Sequence, residues 1–233
     1  MTNREDALQM ELSASDGAWE PTPHGRWLAR MLADNDLVSG KDVLELGAGV
    51  ANHTILIHRK GARSIVATEI TEGLLQTTKE NFERNCGEVP NLELRVADWL
   101  NTEGEFDLIV TNPPFCKSGK VNRRYYLDSL ILEGHKRLRP GGELLFVQSS
   151  MADVHRTMTE LDRNGFDARE VGRTSGPFRD YYFEDLEFMK EIEEVKDGYF
   201  EVEGAKHEWL AVIHAKLRPW SPPASAHVPD ELR

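Results

Sequence analysis

Two apolar runs in the first third of the chain end in residues that could bind a nucleoside. The run at residues 43–46 breaks at Gly47-Ala48-Gly49, where glycine lets the backbone approach a ligand and a following helix offers unpaired N–H groups. Asn52 stands where a dinucleotide-binding turn has its third glycine. The run at residues 64–68 ends at Glu69, whose carboxylate can accept hydrogen bonds from two ribose hydroxyls. A tight turn and a helix-terminal acid explain each feature alone, but their spacing together predicts a ribose site.

Two later apolar runs end in groups suited to a planar ring or an amino group. Asp98 and Trp99 follow residues 92–96 and could bind and stack on an adenine, although a core tryptophan is the alternative. Asn112-Pro113-Pro114-Phe115 follows residues 106–110 and is the most specific segment of the chain. Its prolines fix φ and remove two N–H donors, which leaves the Asn112 side chain and the Pro113 carbonyl as paired acceptors for an N–H₂ group. Phe115 adds a flat surface, whereas a rigid Asn-Pro turn would explain the prolines alone.

These segments require a parallel sheet, because each lies at the end of a β-rich run and helical patterns separate the runs. Five such runs occur, at residues 43–46, 64–68, 92–96, 106–110 and 143–147, and two more near 167–171 and 208–216 bring the predicted strands to seven. Helical periodicity covers residues 71–85, 125–138 and 153–164, and Arg139-Pro140-Gly141-Gly142 is expected to end the second helix. The predicted fold class is therefore α/β, with a mostly parallel sheet flanked by helices.

We predict one domain at residues 1–218 and a flexible, proline-rich tail at residues 219–233. Residues 174–206, between the last two predicted strands, form an insert that could act as a substrate lid or extend the sheet edge. The insert is aromatic, with Tyr181 and Tyr182 among its rings, and the stretch 181–210 carries ten acidic against three basic residues. This composition suits a small aromatic or cationic substrate better than a polyanion.

The composition is typical of a cytoplasmic globular protein. The chain has 233 residues, with 28 Lys and Arg against 40 Asp and Glu, and its net charge of −12 disfavours a long nucleic acid. No apolar stretch is long enough to span a bilayer and no secretory signal opens the sequence, so no membrane attachment is expected. The two cysteines, Cys86 and Cys116, lack metal-binding spacing and the eight histidines are scattered, so no metal site is predicted.

The ordered set Glu45-Leu46-Gly47-Ala48-Gly49, Glu69, Asp98 and Asn112-Pro113-Pro114-Phe115 resembles the class I S-adenosylmethionine-dependent methyltransferases. The resemblance is to the branch with an Asn/Asp-Pro-Pro-Tyr/Phe motif, which includes release-factor glutamine methyltransferases, adenine N6-methyltransferases and small-molecule N-methyltransferases. It implies a Rossmann-like, seven-stranded, mostly parallel sheet and S-adenosylmethionine as cofactor. The helical N-terminal substrate domain of bacterial release-factor enzymes has no counterpart in the sequence, which counts against a release factor as the substrate.

The resemblance also implies roles for individual residues. The expected cofactor-binding residues are Thr22, His24, Glu45, Gly47, Ala48, Gly49, Glu69, Ile70, Asp98, Trp99 and Asn112. Within this set the glycine backbone would lie against the methionine part of the cofactor, Glu69 would bind the ribose, and Asp98 with Trp99 would bind the adenine. Asn112 and Pro113 are the expected catalytic residues.

The substrate is expected to contact Pro114, Phe115, Arg123, Tyr181 and Tyr182. Arg123 belongs to a basic stretch at residues 117–139, which could meet an anionic substrate group or could simply be a solvated helix face.

The predicted activity is N-methylation of a small molecule by in-line displacement, in which a nitrogen lone pair attacks the methyl carbon of the sulfonium. Methylation of a protein glutamine or of adenine N6 is the enzymatic alternative. A cofactor-binding scaffold without turnover is the non-enzymatic one, and the intact Asn112-Pro113-Pro114-Phe115 segment argues against it.

Overall fold

A mixed sheet carries the glycine turn, Glu69, Asp98-Trp99 and the Asn-Pro-Pro-Phe segment, each at or just after the end of one strand. The structure is a computed structural model that describes residues 8–15, 21–115 and 123–219. The strands are β1 Asp42–Leu46, β2 Ser64–Glu69, β3 Leu92–Val96, β4 Phe106–Thr111, β5 Leu138–Ser149, β6 Phe166–Pro177, β7 Phe200–Val202 and β8 Ala205–Leu217. Their order is β3-β2-β1-β4-β5-β8-β6, and β7 pairs with β8. The first five strands are parallel and β8 is antiparallel to its three neighbours. The predicted Rossmann-like, mostly parallel sheet is confirmed, with the short β7 as an unpredicted addition.

Helices cover both faces of this sheet. They are α1 Pro23–Asp34, α2 Asn52–Arg59, α3 Glu72–Cys86, α4 Tyr125–Glu133, α5 Val154–Arg163 and α6 Leu186–Glu193. Successive strand residues point to opposite faces, so Val43 packs with Leu28 of α1 and Leu56 of α2, whereas Leu44 packs with Leu130 of α4 and Leu161 of α5. Because both faces are buried, β1, β2 and β4 are mostly apolar, whereas the edge strand β3 alternates apolar and charged residues and is partly exposed.

The predicted helix at residues 125–138 is too long by a turn. Helix α4 ends at Glu133, a 3₁₀ turn covers Gly134–Arg137, and β5 already begins at Leu138. The Arg139-Pro140-Gly141-Gly142 segment therefore does not end a helix. It lies inside β5, where the pairing with β4 shifts register between Phe106 and Leu108. Proline and glycine are tolerated in a strand at such an irregularity, because a ladder hydrogen bond is missing there.

The insert at residues 174–206 both lengthens strands and contributes a small core. Its ends belong to β6 and β8, and its middle contains a 3₁₀ turn at Asp180–Tyr182, α6 and β7. Phe178, Tyr182, Phe188 and Ile192 bury their side chains together against Met151 at the end of β5. The predicted tail lies, from residue 220 onward, outside the described residues.

An ion pair connects β5 with the residue before β1 and with β8. Lys41 Nζ and His214 Nε2 donate to Glu143 Oε2 over 2.6 and 2.8 Å. Burial alone would raise the pKa of Glu143, but these two hydrogen bonds lower it to about 2. Since this pKa is depressed in the folded state, the stabilisation is present above about pH 4.3, the pKa of an unfolded glutamate, and is lost as pH falls toward 2.

We therefore expect Glu143→Gln to lower the free energy of unfolding by about 2 kcal/mol at neutral pH. Urea denaturation measured from pH 7 down to pH 3 should show the difference from wild type shrinking below about pH 5. Glu133→Gln is the control, because Glu133 forms only an exposed pair with Lys136. An equal loss at pH 3 and pH 7 would contradict this account.

Candidate active site

A cavity of about 340 Å³ lies at the carboxyl edge of β1, β2 and β4 and beside the loop that follows β3. Open parallel sheets bind ligands at this edge, where the strand order reverses. Of the predicted residues, its lining includes Thr22, His24, Gly47, Ala48, Gly49, Glu69, Ile70, Asp98, Trp99, Asn112, Pro113, Pro114, Phe115, Tyr181 and Tyr182. The lining does not include Glu45 or Arg123. It adds residues that the sequence did not single out, notably His53, Tyr126 and Arg179.

The glycine turn forms one open wall of the cavity. Gly47 and Gly49 have φ of 73° and 56°, which favours glycine. The amide groups of Gly47 and Ala48 both donate to the Thr68 carbonyl, so the turn is fixed to the end of β2. A Cβ placed on either glycine would meet no protein atom within 4 Å. The glycines are therefore not needed for protein packing, and a ligand can approach their backbone.

Glu69 is held at the end of β2 by backbone donors. Its Oε1 accepts from Gly49 N at 2.6 Å and its Oε2 from Ile70 N at 3.1 Å. Burial raises the pKa of Glu69, while the two N–H groups act in the opposite direction. A carboxylate has about four acceptor sites, so both oxygens can still accept from ribose hydroxyls.

Glu45, an expected cofactor contact, does not line the cavity. It is fully buried beneath α2, and its Oε2 accepts from Thr54 Oγ1 at 2.5 Å. Its Oε1 has no hydrogen-bond partner within the described ranges and lies 3.5 Å from Nδ1 of His53. His53 lines the cavity, and its Nε2 lies 2.9 Å from the Gly25 carbonyl. Glu45 therefore acts on the cavity through His53.

Residues 21–24, called the entrance segment below, lead into α1 beside the cavity. Thr22 caps the helix by accepting from Gly25 N at 3.2 Å, and Pro23 occupies the first helical position, where its missing N–H costs nothing. This start places His24 against the insert: its Nδ1 lies 2.6 Å from Nη2 of Arg179, and its Nε2 lies 3.5 Å from Oε2 of Glu208.

Trp99 is fixed from two sides. Its Nε1 donates to Ser129 Oγ at 2.8 Å, and its ring lies edge-on to Tyr126 with centroids 5.0 Å apart. Both rings line the cavity. Trp99 also has a φ of 55°, an unfavourable value for a large side chain, which the surrounding contacts must hold. The adjacent Asp98 is exposed at the same edge.

The Asn112-Pro113-Pro114-Phe115 segment lines the cavity beside the start of α1. Thr111 Oγ1 donates to the Leu46 carbonyl at 2.9 Å and so fixes the end of β4 to β1. A Cβ on Gly25 would lie 3.5 Å from Asn112 Nδ2, so the start of α1 packs close to this side chain. Phe115 packs edge-on against Phe188 of α6, with centroids 6.0 Å apart. The segment is thus braced by β1, by α1 and by the insert.

Arg123, predicted to bind substrate, belongs instead to the attachment of α6. Its Nε donates to Glu191 at 2.8 Å and its Nη2 to Asp185 at 3.0 Å, and its guanidinium lies 5.0 Å from the Phe188 ring centroid. Arg123 therefore pairs with two acids of the insert and does not line the cavity. The neighbouring basic residues Lys117 and Lys120, like Cys116, fall outside the described residues.

The described residues contain neither a cluster suited to a metal ion nor a helix suited to a membrane. Over residues 8–15, 21–115 and 123–219, no group of three or more His, Cys, Asp or Glu side chains is arranged to hold a metal ion. Among the helices of those same ranges, none is long and apolar enough to cross a membrane.

Comparisons with known proteins agree with this geometry. The family model "Methyltransferase small domain" matches residues 24–173. A Methanocaldococcus jannaschii protein named "Putative protein N5-glutamine methyltransferase" is 29% identical over 186 residues, which are 73% of this chain and 92% of that protein. The ribosomal protein L11 methyltransferase of Thermosipho melanesiensis is 40% identical over 132 residues, which are 47% of this chain and only 50% of that enzyme.

Solved structures share the fold at low sequence identity. A methyltransferase from Pyrococcus furiosus superposes with a TM-score of 0.56 at 19% identity, covering 87% of this chain and 88% of that one. The family match spans the glycine turn, Glu69 and the Asn-Pro-Pro-Phe segment, which all meet at one cavity. The chain thus belongs to the methyltransferase small domain family and is a class I S-adenosylmethionine-dependent methyltransferase.

Proposed function

We propose that this enzyme methylates a planar carboxamide nitrogen, with the side chain of a protein glutamine as the acceptor. The observation that carries the proposal is the placement of Asn112 and Pro113 on the cavity wall, braced by β1, α1 and the insert. The Methanocaldococcus jannaschii relative supports a glutamine acceptor, because its name specifies one and the match covers 92% of its length.

The cofactor is assigned to the side of the cavity formed by β1, β2 and the loop after β3. The open backbone at Gly47 and Gly49 suits the methionine part, the Glu69 carboxylate suits the ribose hydroxyls, and Asp98 with Trp99 suits the adenine. Bound there, S-adenosylmethionine supplies a methyl group on a positively charged sulfur.

Asn112 and Pro113 prepare the acceptor nitrogen. A carboxamide lone pair is delocalised into its carbonyl group, so the nitrogen is a poor nucleophile. The Asn112 side-chain oxygen and the Pro113 carbonyl can each accept a hydrogen bond from one N–H of the nitrogen, which orients it and stabilises positive charge as it develops there. Because these acceptors sit on a braced loop, they need little reorganisation during the reaction. Phe115 offers its ring to the planar group.

Charge favours protein over RNA as the acceptor. The stretch 181–210 has a net charge of −7, from three basic and ten acidic residues, and it supplies Tyr181 and Tyr182 to the cavity. A phosphate backbone would be repelled at this wall. The small-molecule acceptor predicted from the sequence remains the second candidate, because the aromatic residues Phe115, Tyr181 and Tyr182 line the cavity.

A labelled-methyl transfer assay tests the acceptor directly. The enzyme is incubated with labelled cofactor and, separately, with a Gly-Gly-Gln peptide, a small-metabolite pool and RNA. We expect label in the peptide, with mass spectrometry placing it on the glutamine amide nitrogen. A Gly-Gly-Glu peptide is the matched control and should stay unlabelled. Label in the metabolite pool alone would replace this acceptor with the second candidate, and label in RNA alone would reject both.

A further inference from the structure

Arg179 brings a positive charge to the cavity wall from the insert. It lies just before the 3₁₀ turn at Asp180–Tyr182 and is partly buried. Its guanidinium group donates to Tyr181 Oη at 2.9 Å and to His24 Nδ1 at 2.6 Å, and it sits over the rings of Tyr181 and Tyr182 at 5.6 and 5.8 Å. Neither of these two hydrogen-bond partners is a carboxylate.

Within the described ranges, no carboxylate compensates this charge directly. Among the residues that the structure describes, no Asp or Glu lies within 4 Å of the Arg179 guanidinium, and its buried Nε has no hydrogen-bond partner. A guanidinium has five N–H groups, of which one on each Nη is used here, so the second proton of each Nη can still form a fork that binds a carboxylate. A partly buried cation without a counter-ion is costly, and a bound anion would relieve that cost.

Glu208 holds this arginine in place through His24. Arg179 can only donate, so His24 Nδ1 must accept and the ring proton sits on Nε2, 3.5 Å from Glu208 Oε2. Burial would raise the pKa of Glu208, but its polar contacts with His24, Ser149 and Tyr182 lower it. The charge of Glu208, 3.5 Å from His24 Nε2, favours the imidazole tautomer that accepts from Arg179, although its Oε2 has no hydrogen-bond partner among the described residues. Its Oε1 accepts from Tyr182 Oη at 3.0 Å.

The position of this network identifies the end of the cavity that it serves. His24 and Gly25 are consecutive at the start of α1, and the Gly25 carbonyl lies 2.9 Å from Nε2 of His53, in the first turn of the helix after the glycine turn. Arg179 is therefore linked through the start of α1 to the helix beside which the cofactor's amino-acid part is assigned, and also to Asn112, whose Nδ2 would lie 3.5 Å from a Cβ on Gly25. The amino-acid part carries the cofactor's one carboxylate.

We infer that Arg179 is the anion-binding residue of this site and binds the α-carboxylate of S-adenosylmethionine, with Glu208 and His24 as its positioning residues. The inference concerns the cofactor and does not depend on which acceptor is methylated.

Ligand binding measured by calorimetry tests this assignment without turnover. S-adenosylhomocysteine contains the carboxylate, and 5′-methylthioadenosine lacks the entire amino-acid part. We expect Arg179→Gln to weaken S-adenosylhomocysteine binding about 10- to 100-fold and to leave 5′-methylthioadenosine binding unchanged. Arg179→Lys keeps the charge without the fork and should give an intermediate loss.

Arg173→Gln is the matched control. Arg173 is an exposed arginine of β6 that pairs with Glu170 and does not line the cavity, so both ligands should bind as in wild type. Thermal unfolding without ligand shows whether each variant is folded. If Arg179→Gln and Arg179→Lys fold and bind S-adenosylhomocysteine as wild type does, or if both ligands weaken equally, the assignment is overturned.

Discussion

Replacing Asn112 with alanine is expected to lower kcat by about 100- to 1000-fold, the range found when one preorganised polar group is removed from a reacting centre. The Asn112 side chain is one of the two groups proposed to accept hydrogen bonds from the nitrogen that is methylated. The other, the Pro113 carbonyl, belongs to the backbone and stays in place. Affinity for S-adenosylhomocysteine should remain close to wild type, because Glu69 and the glycine turn are unchanged. Single-turnover kinetics with the acceptor found in the transfer assay, together with calorimetry, separates the two effects.

Asn101→Ala is the control for this substitution. Asn101 is exposed after the β3 loop and does not line the cavity, so its loss should leave turnover intact. Near-native kcat in Asn112→Ala would remove Asn112 from the catalytic role. A large loss of cofactor affinity with unchanged kcat would make it a cofactor-binding residue only.

Local signals were enough to predict most of the sheet and the two most specific segments. Short β-rich runs bounded by glycine, proline or acidic residues predict β1 to β4 within one residue of their observed ends, including the partly exposed β3. The glycine turn and Asn112-Pro113-Pro114-Phe115 follow such strands directly, so the rule for parallel sheets places them at one edge.

Two predicted site residues, Glu45 and Arg123, lie outside the cavity lining for local structural reasons. Glu45 was assigned to the cavity because it precedes the glycine turn, but alternation puts it on the same sheet face as Val43, beneath Thr54 of α2. Arg123 was assigned to the substrate because it follows the Asn-Pro-Pro-Phe segment. Closeness along the chain does not determine which way a long side chain points, and two acids of the insert draw it toward α6.

The residues that the sequence did not reveal depend on contacts between distant segments. Arg179 and Glu208 meet His24 only because β8 inserts between β5 and β6, which folds the insert back over the entrance segment. No spacing along the chain encodes that meeting. His53 had a local signal, since it lies in the first turn of the helix that follows the glycine turn.

Replacing Glu69 with alanine is expected to weaken S-adenosylhomocysteine binding by about 100- to 1000-fold. The substitution removes two proposed hydrogen bonds to the ribose and also leaves the amide groups of Gly49 and Ile70 without their carboxylate partner, and each bond to a charged group is worth about 1.5 to 3 kcal/mol. Calorimetry measures the loss. Glu72→Gln is the matched control, because Glu72 is an exposed acid in the first turn of the next helix and is not part of the lining.

The pH dependence of binding distinguishes a ribose contact from a purely structural role of Glu69. Burial raises the pKa of Glu69, so its carboxylate gains a proton at a higher pH than an exposed glutamate does. Since the protonated acid can no longer accept from both hydroxyls, wild-type affinity should fall as pH is lowered through that raised pKa. Glu69→Gln cannot titrate, so its weaker affinity should show no such fall. If the two proteins lose affinity in parallel on acidification, another group carries the pH dependence and Glu69 is not the ribose acceptor.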